Sequence, residues 1–314
     1  MGPDVILCEC FARDGLQHET VFVPTAEKVA LIEGFAEAGF PRVEATSYSH
    51  PERVPAFRDA SEVLARLTRR QGVWYKATCP NERAVVRAAA DFDAGRGANE
   101  VSLLVSATES HTQRNLRASR DNQWRRVAAM VAAAGDRFRL VGVISVALGC
   151  PFEGPVDPGR VAEDADRFWA LGVKLITVGD TIGTGTPRTT RRLFDRLVSD
   201  FPDMIFVGHF HNTRGTALLN CMAALDAGAT HLDSAIGGVG GHPAEIEYGT
   251  GLTGNVATED LVALLEAEGV STGIDLDRMM RLSERCEALL GRRLYSMVAR
   301  AGLEAAPQEK VVNV

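Results

Sequence analysis

What this 314-residue chain lacks narrows its class first. No apolar run approaches the roughly 20 residues a membrane-spanning helix needs. A charged-then-apolar leader is missing as well, and the first apolar run, from Val5, opens directly into a strand pattern. The expected location is cytoplasmic. Positive charge is not in excess: 34 Lys and Arg stand against 41 Asp and Glu, a net charge of −7. Neither a nucleic acid nor a membrane is therefore an expected partner. The Arg-Arg pairs at 69–70, 125–126, 191–192 and 292–293 fall in helical patterns and read as solvated faces. The six cysteines (8, 10, 79, 150, 221 and 286) show no CxxC spacing and mostly lie in apolar runs. That predicts buried free thiols and argues against disulfides or thiolate zinc. No Pro/Gly/Ser-rich linker divides the chain.

What is present is an alternation. Short β-rich runs occur at Val5–Cys10, Val43–Thr46, Val73–Thr78, Glu100–Val105, Leu140–Val146, Leu175–Val178, Met204–Val207 and His231–Ser234. Amphipathic patterns follow them at 25–38, 59–70, 81–93, 119–134, 158–171, 187–200, 213–227 and 257–268. Thr25 with Lys28, and Asn81, read as helix starts; Gly39, Gly135, Gly172 and Gly228 stand where helices should stop. Eight β-α repeats without a linker predict an α/β fold, one (β/α)8 TIM barrel over residues 1–270. Residues 271–314 are expected to add a C-terminal helix, near 275–291, and a tail packed on or near the barrel.

In such barrels chemistry gathers at the carboxyl ends of the strands. Polar residues just past the apolar runs are Arg13, Asp14, Gln17, Glu44, Ser47, Ser145, Asp180, Thr181, His209, His211 and Asp233. Two of these organise the rest. His209 and His211 are spaced i, i+2, so in a strand both imidazoles project from one face. Two nitrogens with oxygen donors such as Asp14 and Asn255 suit Mg²⁺, Mn²⁺, Co²⁺ or Zn²⁺.

Several blocks resemble one family. Phe11-Ala-Arg13-Asp14-Gly15-Leu16-Gln17 is similar to the opening signature of the DRE-TIM metallolyases, in the hydroxymethylglutaryl-CoA lyase branch. The likeness continues through Val43-Glu-Ala-Thr-Ser47, Ser145-Val-Ala-Leu-Gly-Cys-Pro-Phe-Glu-Gly154 and Gly179-Asp-Thr-Ile-Gly-Thr-Gly-Thr-Pro187. It also takes in His209-Phe-His211-Asn-Thr, Gly237-Gly-Val-Gly-Gly241 and Gly254-Asn-Val-Ala-Thr-Glu-Asp-Leu261, in family order over about residues 5–300.

The resemblance implies a divalent-metal-dependent retro-Claisen cleavage of a 3-hydroxy-3-methylglutaryl-CoA-like thioester to acetyl-CoA and a keto acid. Asp14, His209, His211 and Asn255 would hold the metal, with Mg²⁺ or Mn²⁺ favoured. Arg13 would stabilise enolate charge, with an ion pair to Asp14 or Glu44 as its structural alternative. Glu44 and Asp180 would accept a proton or orient the metal's ligands. Gln17, Ser145, Gly240 and Gly241 would contact substrate, and a homodimer or higher homo-oligomer is expected. Three alternatives stay open: a citramalyl-CoA lyase giving pyruvate, a Claisen-condensing synthase, and a non-catalytic acyl-CoA-binding relative.

One position departs from the family. A cysteine normally follows the Gly-Gly of the glycine-rich loop, ahead of proline, and is taken to serve proton transfer. This chain reads Gly240-Gly241-His242-Pro243. Either His242 takes the role, since imidazole titrates near neutrality, or specificity has changed, or the usual activity is lost. The loop glycines themselves read as a lid over the thioester.

Overall fold

Eight parallel strands close into a barrel in sequence order. The computed structural model describes residues 2–241 and 254–303. The strands are β1 (Ile6–Glu9), β2 (Arg42–Ser47), β3 (Trp74–Cys79), β4 (Glu100–Ser106), β5 (Arg139–Ser145), β6 (Leu175–Asp180), β7 (Ile205–Phe210) and β8 (His231–Ser234). Ring closure comes from β1 on β8, with Ile6 opposite His231 and Glu9 opposite Ser234. Both faces of each strand are covered, which is why these segments read as nearly continuous apolar runs; β2 and β6 are buried at every position.

Five strands run past their expected ends, β6 and β7 furthest. Parallel pairing of Gly179 with His209 and of Asp180 with Phe210 carries β6 two residues past Val178 and β7 three residues past Val207. Pairing with a neighbour, not side-chain polarity, decides where a central strand stops. His209 thus lies inside β7, and His211 sits just beyond it, bridged to Asn255.

The helices fall where the amphipathic patterns lie, with Ala60–Arg66 ending four residues early and Ala217–Asp226 starting four residues late. Asn81 accepts from Ala84 N at 3.1 Å to start helix Glu82–Asp93, and Ser119 does the same for Arg120–Ala134 through Asn122 N at 3.2 Å. Thr25 does not cap. It is the first residue of helix Thr25–Glu37, and its hydroxyl donates to Asp59 Oδ2 at 2.7 Å instead. Phe35, Phe40, Phe168, Phe194 and Phe210 are buried between helices and barrel. All six cysteines are free and buried.

After β8 the chain makes a short turn, Ile236–Gly238, and then helices Thr258–Ala267 and Leu276–Leu290. Asp275 accepts from Arg278 N at 3.0 Å and caps the latter. Past it, Leu294 returns to the Ile236–Gly238 turn: Tyr295 N donates to Gly237 O at 2.8 Å. A Cβ on Gly237, whose φ is +64°, would sit 2.4 Å from Leu294 Cδ1. The C-terminal segment therefore presses on the base of the glycine-rich loop. Among the described residues, no helix is long and apolar enough to cross a membrane.

Candidate metal centre

The carboxyl ends of the strands bring Arg13, Asp14, Glu44, Ser145, His209, His211 and Gly241 around one cavity. Arg13 and Asp14 lie on a single π-helical turn, Phe11–Gly15, directly after β1. The turn is pinned from below by Glu9, which accepts from Phe11 N at 2.9 Å. One carboxylate oxygen of Asp14 and one nitrogen each of His209 and His211 all lie within 4.8 Å of one another.

The electrostatics of this group follow from its neighbours. His209 Nδ1 faces Asp233 Oδ2 at 3.3 Å. A carboxylate only accepts, so the His209 proton belongs on Nδ1 and Nε2 keeps a lone pair, the tautomer a metal ligand needs. His209 Nε2 and His211 Nε2 are 3.2 Å apart. Two nitrogens each about 2.1 Å from one ion, at roughly 90–109° to each other, would stand about 3.0–3.4 Å apart. Asn255 Nδ2 donates to Asp14 Oδ2 at 2.6 Å and to Val239 O at 2.9 Å. That leaves Asn255 Oδ1 buried with no hydrogen-bond partner, an oxygen donor beside Asp14. The residues present fit a divalent cation.

Burial disfavours the charged form of Asp14, but Arg13 and the two histidines outweigh it and hold the carboxyl well below its ordinary range. Glu44 is likewise held down, against burial, by Arg13 and Lys76. Arg13 is the hub: Nη1 lies 2.9 Å from Asp14 Oδ1, Nε lies 2.7 Å from Glu44 Oε1, and Nη1 donates to Gln17 Oε1 at 3.2 Å. Both ion pairs expected as the structural alternative for Arg13 are present, and the same side chain lines the cavity.

Gly240 is tied to this group by space. With φ at +122°, a Cβ there would lie 2.4 Å from Asn255 Nδ2 and 2.9 Å from Asp14 Oδ2. Ser145, at the end of β5, precedes Val146, a β-branched residue at φ +53°. Val146 N donates to Thr181 Oγ1 at 2.7 Å, which holds the strained residue.

Asp180 is placed differently from the expectation. Its two oxygens accept from Thr184 N and Gly185 N, both at 3.0 Å, and it does not line the cavity. Burial pushes its carboxyl up, only partly offset by those two amides. Its side chain shapes the loop after β6, while its backbone carbonyl accepts from His211 N at 3.4 Å. His242 lies outside the described residues.

The sequence reading missed Lys76, Thr78, Ser102, Asn115 and Thr177, which also line the cavity, and passed over Asp233 as a partner for His209. A signal existed for Lys76. A lysine inside an apolar strand, in step with Thr78 two residues on, has to point into the barrel if Thr78 does.

A closed (β/α)8 barrel with two histidines, an aspartate and an unpartnered amide oxygen at the carboxyl ends of its strands defines a metal-site barrel enzyme class. The chain belongs to the HMGL-like family, which it matches over residues 4–285. It is 38% identical over 298 residues to the mitochondrial hydroxymethylglutaryl-CoA lyase of Rattus norvegicus, covering 95% of this chain and 89% of that one. With the 3-hydroxy-3-isohexenylglutaryl-CoA/hydroxymethylglutaryl-CoA lyase of Pseudomonas aeruginosa it shares 38% over 305 residues, 96% of this chain and 98% of the relative. The solved hydroxymethylglutaryl-CoA lyase from Pseudomonas aeruginosa superposes with a TM-score of 0.89 at 36% identity, covering 98% of this chain and 99% of that one.

Proposed function

We propose that this chain is a divalent-metal-dependent carbon–carbon lyase that cleaves a 3-hydroxy-3-methylglutaryl-CoA-like thioester to acetyl-CoA and a keto acid. The observation that carries the reading is the Asp14–His209–His211 group with the unpartnered Asn255 oxygen beside it and Arg13 alongside. Mg²⁺ or Mn²⁺ suits two nitrogens and two oxygens on a hard, carboxylate-bearing rim, with Zn²⁺ and Co²⁺ as alternatives.

Bound there, such an ion would supply Lewis acidity that lowers the pKa of the substrate's tertiary hydroxyl. The chain's own residues do the rest. Glu44 is ionised, and its Oε2 has no hydrogen-bond partner, so it has the lone pairs to take the hydroxyl proton. As the carbon–carbon bond breaks, negative charge passes to the thioester fragment, and the fixed Arg13 guanidinium stabilises it. Asp233 keeps His209 in one tautomer and orientation. His242 is the proposed proton donor to the enolate carbon; its test is whether His242→Ala removes an ionisation near the ordinary imidazole value of about 6.5. Cytoplasmic location and assembly as a homodimer or higher homo-oligomer belong to the same proposal; sedimentation of the purified chain checks the assembly.

The experiment is incubation of the Mg²⁺- or Mn²⁺-loaded protein with hydroxymethylglutaryl-CoA and with citramalyl-CoA, reading free keto acid and acetyl-CoA. Release of acetoacetate or pyruvate supports the lyase reading. Binding of either thioester without any release overturns it in favour of an acyl-CoA-binding protein.

A further inference from the structure

The cavity has two layers. Along β3, β4, β5 and β6, Thr78, Leu104, Ser145 and Gly179 form the upper one, and the residues two positions earlier, Lys76, Ser102, Val143 and Thr177, form the lower. Three of the four lower residues are polar. All three are buried, at 2%, 1% and 3% exposure for Lys76, Ser102 and Thr177.

Part of their hydrogen-bonding capacity is not spent on the protein. Thr177 Oγ1 has no partner. The Thr78 hydroxyl donates to Glu44 Oε1 at 2.7 Å, so the 2.9 Å contact between Thr78 and Ser102 uses the Ser102 proton and leaves the Ser102 oxygen free to accept. Lys76 Nζ stands 3.5 Å from Glu44 Oε1 and 3.8 Å from Asp233 Oδ2. Both are beyond the 2.7–2.9 Å or so of a charge-assisted hydrogen bond. Burial would strip its proton, but Asp233 and Glu44 outweigh that and keep the ammonium charged. A floor built for a bare methyl would be hydrocarbon, because a methyl leaves each of these groups desolvated and unpaired.

We propose that the carbinol carbon of the substrate carries, in place of the methyl and in addition to its glutaryl carboxymethyl arm, a compact oxygen-bearing substituent, a hydroxyl or carboxylate on a one-carbon arm, seated on Lys76, Ser102 and Thr177. This rests on the lyase reading above. The cavity between the described residues measures about 70 Å³, room for a group of a few heavy atoms. Cleavage keeps its balance. The hydroxyl loses its proton, the carbon–carbon bond breaks, its electron pair passes to the thioester enolate, and that enolate takes a proton on carbon. The released keto acid carries the additional oxygen group.

The test is a panel of 3-hydroxyglutaryl-CoA thioesters with methyl, hydroxymethyl, carboxymethyl or isohexenyl at C3, presented to the Mn²⁺-loaded enzyme, with kcat/KM read from acetyl-CoA release. The hydroxymethyl or carboxymethyl thioester should exceed the methyl one by about 10-fold or more, since a site built to hydrogen-bond a group discriminates strongly against its absence. Preference for carboxymethyl assigns the dominant contact to the Lys76 charge; preference for hydroxymethyl assigns it to Ser102 and Thr177. Lys76→Met should move the ratio toward methyl, and if that variant fails to fold, Ser102→Ala, a smaller change, should move it the same way. A methyl thioester cleaved as well as or better than the oxygen-bearing pair overturns the proposal. Cleavage of none, with Mn²⁺ shown to be bound, overturns the lyase reading itself.

Discussion

Two sets of carboxyl groups lie equally deep in this barrel and keep opposite company. Asp14 and Glu44, on the cavity side, face Arg13, Lys76 and the two histidines, and burial loses to those charges. Glu9 and Glu259, beneath the glycine-rich turn, face neutral donors. Glu9 accepts from Phe11 N, from Ile236 N at 3.0 Å and from Thr258 Oγ1 at 2.6 Å; Glu259 accepts from Gly237 N at 2.8 Å and from Ser283 Oγ. Burial wins there, pushing the Glu9 carboxyl up to about 8 and raising Glu259 as well. Depth alone does not make a buried acid chemical. Cations beside it do, because they keep it ionised where a reaction needs a base or a ligand.

The comparison breaks most visibly at Arg13, which holds the charged set together. Arg13→Ala should lower kcat by roughly 10²–10³ while leaving the fold intact, the range seen when one preorganised donor to transition-state charge is lost. A rise in KM with kcat unchanged would make it a ground-state binder. Lysine should rescue little, since a point charge cannot reach Asp14, Glu44 and Gln17 from one planar fork.

A smaller effect is expected where the two sets meet, in the loop each holds at one end. Glu259 holds the amide of Gly237, whereas Gly240 presses on Asp14 and Asn255. Gly240→Ala should weaken Mn²⁺ binding about 10-fold, the scale of displacing groups that support metal ligands. Gly72→Ala, where an added Cβ meets nothing within 4 Å, is the control for backbone strain at positive φ. Equal metal affinity in the Gly240 variant would show that the space around Asn255 is not tight.

Much of this was legible in the sequence, for reasons particular residues show. Eight apolar runs closed as a barrel because both faces of a parallel strand must be covered, and Asn81 started a helix by satisfying an orphan amide. His209 and His211 came together through strand parity alone. What was not legible depends on contacts between distant segments. Asp180 looks like a rim acid until its oxygens are found on Thr184 and Gly185. The 34-residue gap between Glu44 and Thr78, and the neighbouring Lys76, close only through barrel register. No local pattern announces that Glu9 holds the amide of Ile236, 227 residues away.

The uncharged set makes a prediction of stability, not of turnover. Between the ordinary glutamate value of about 4.5 and about 8, the folded chain keeps the Glu9 proton that the unfolded chain has released. Stability from this group is therefore full below about pH 4.5 and falls as pH rises toward 8, by at most about 1.4 kcal/mol per unit. Urea unfolding across that range should show a shallower decline in Glu9→Gln than in the parent. Parallel curves would mean that Glu9 is ionised in the fold.

The central claim is that Asp14, His209, His211 and Asn255 hold one divalent ion and that cleavage depends on it. The most direct measurement is turnover of the preferred thioester by chelator-stripped protein as Mn²⁺ is added back, with binding stoichiometry read alongside. The stripped protein should show no turnover, one Mn²⁺ per chain should restore it, and His209→Ala should lose both binding and restoration. Full turnover by metal-free protein, or restoration undiminished in His209→Ala, would contradict the claim.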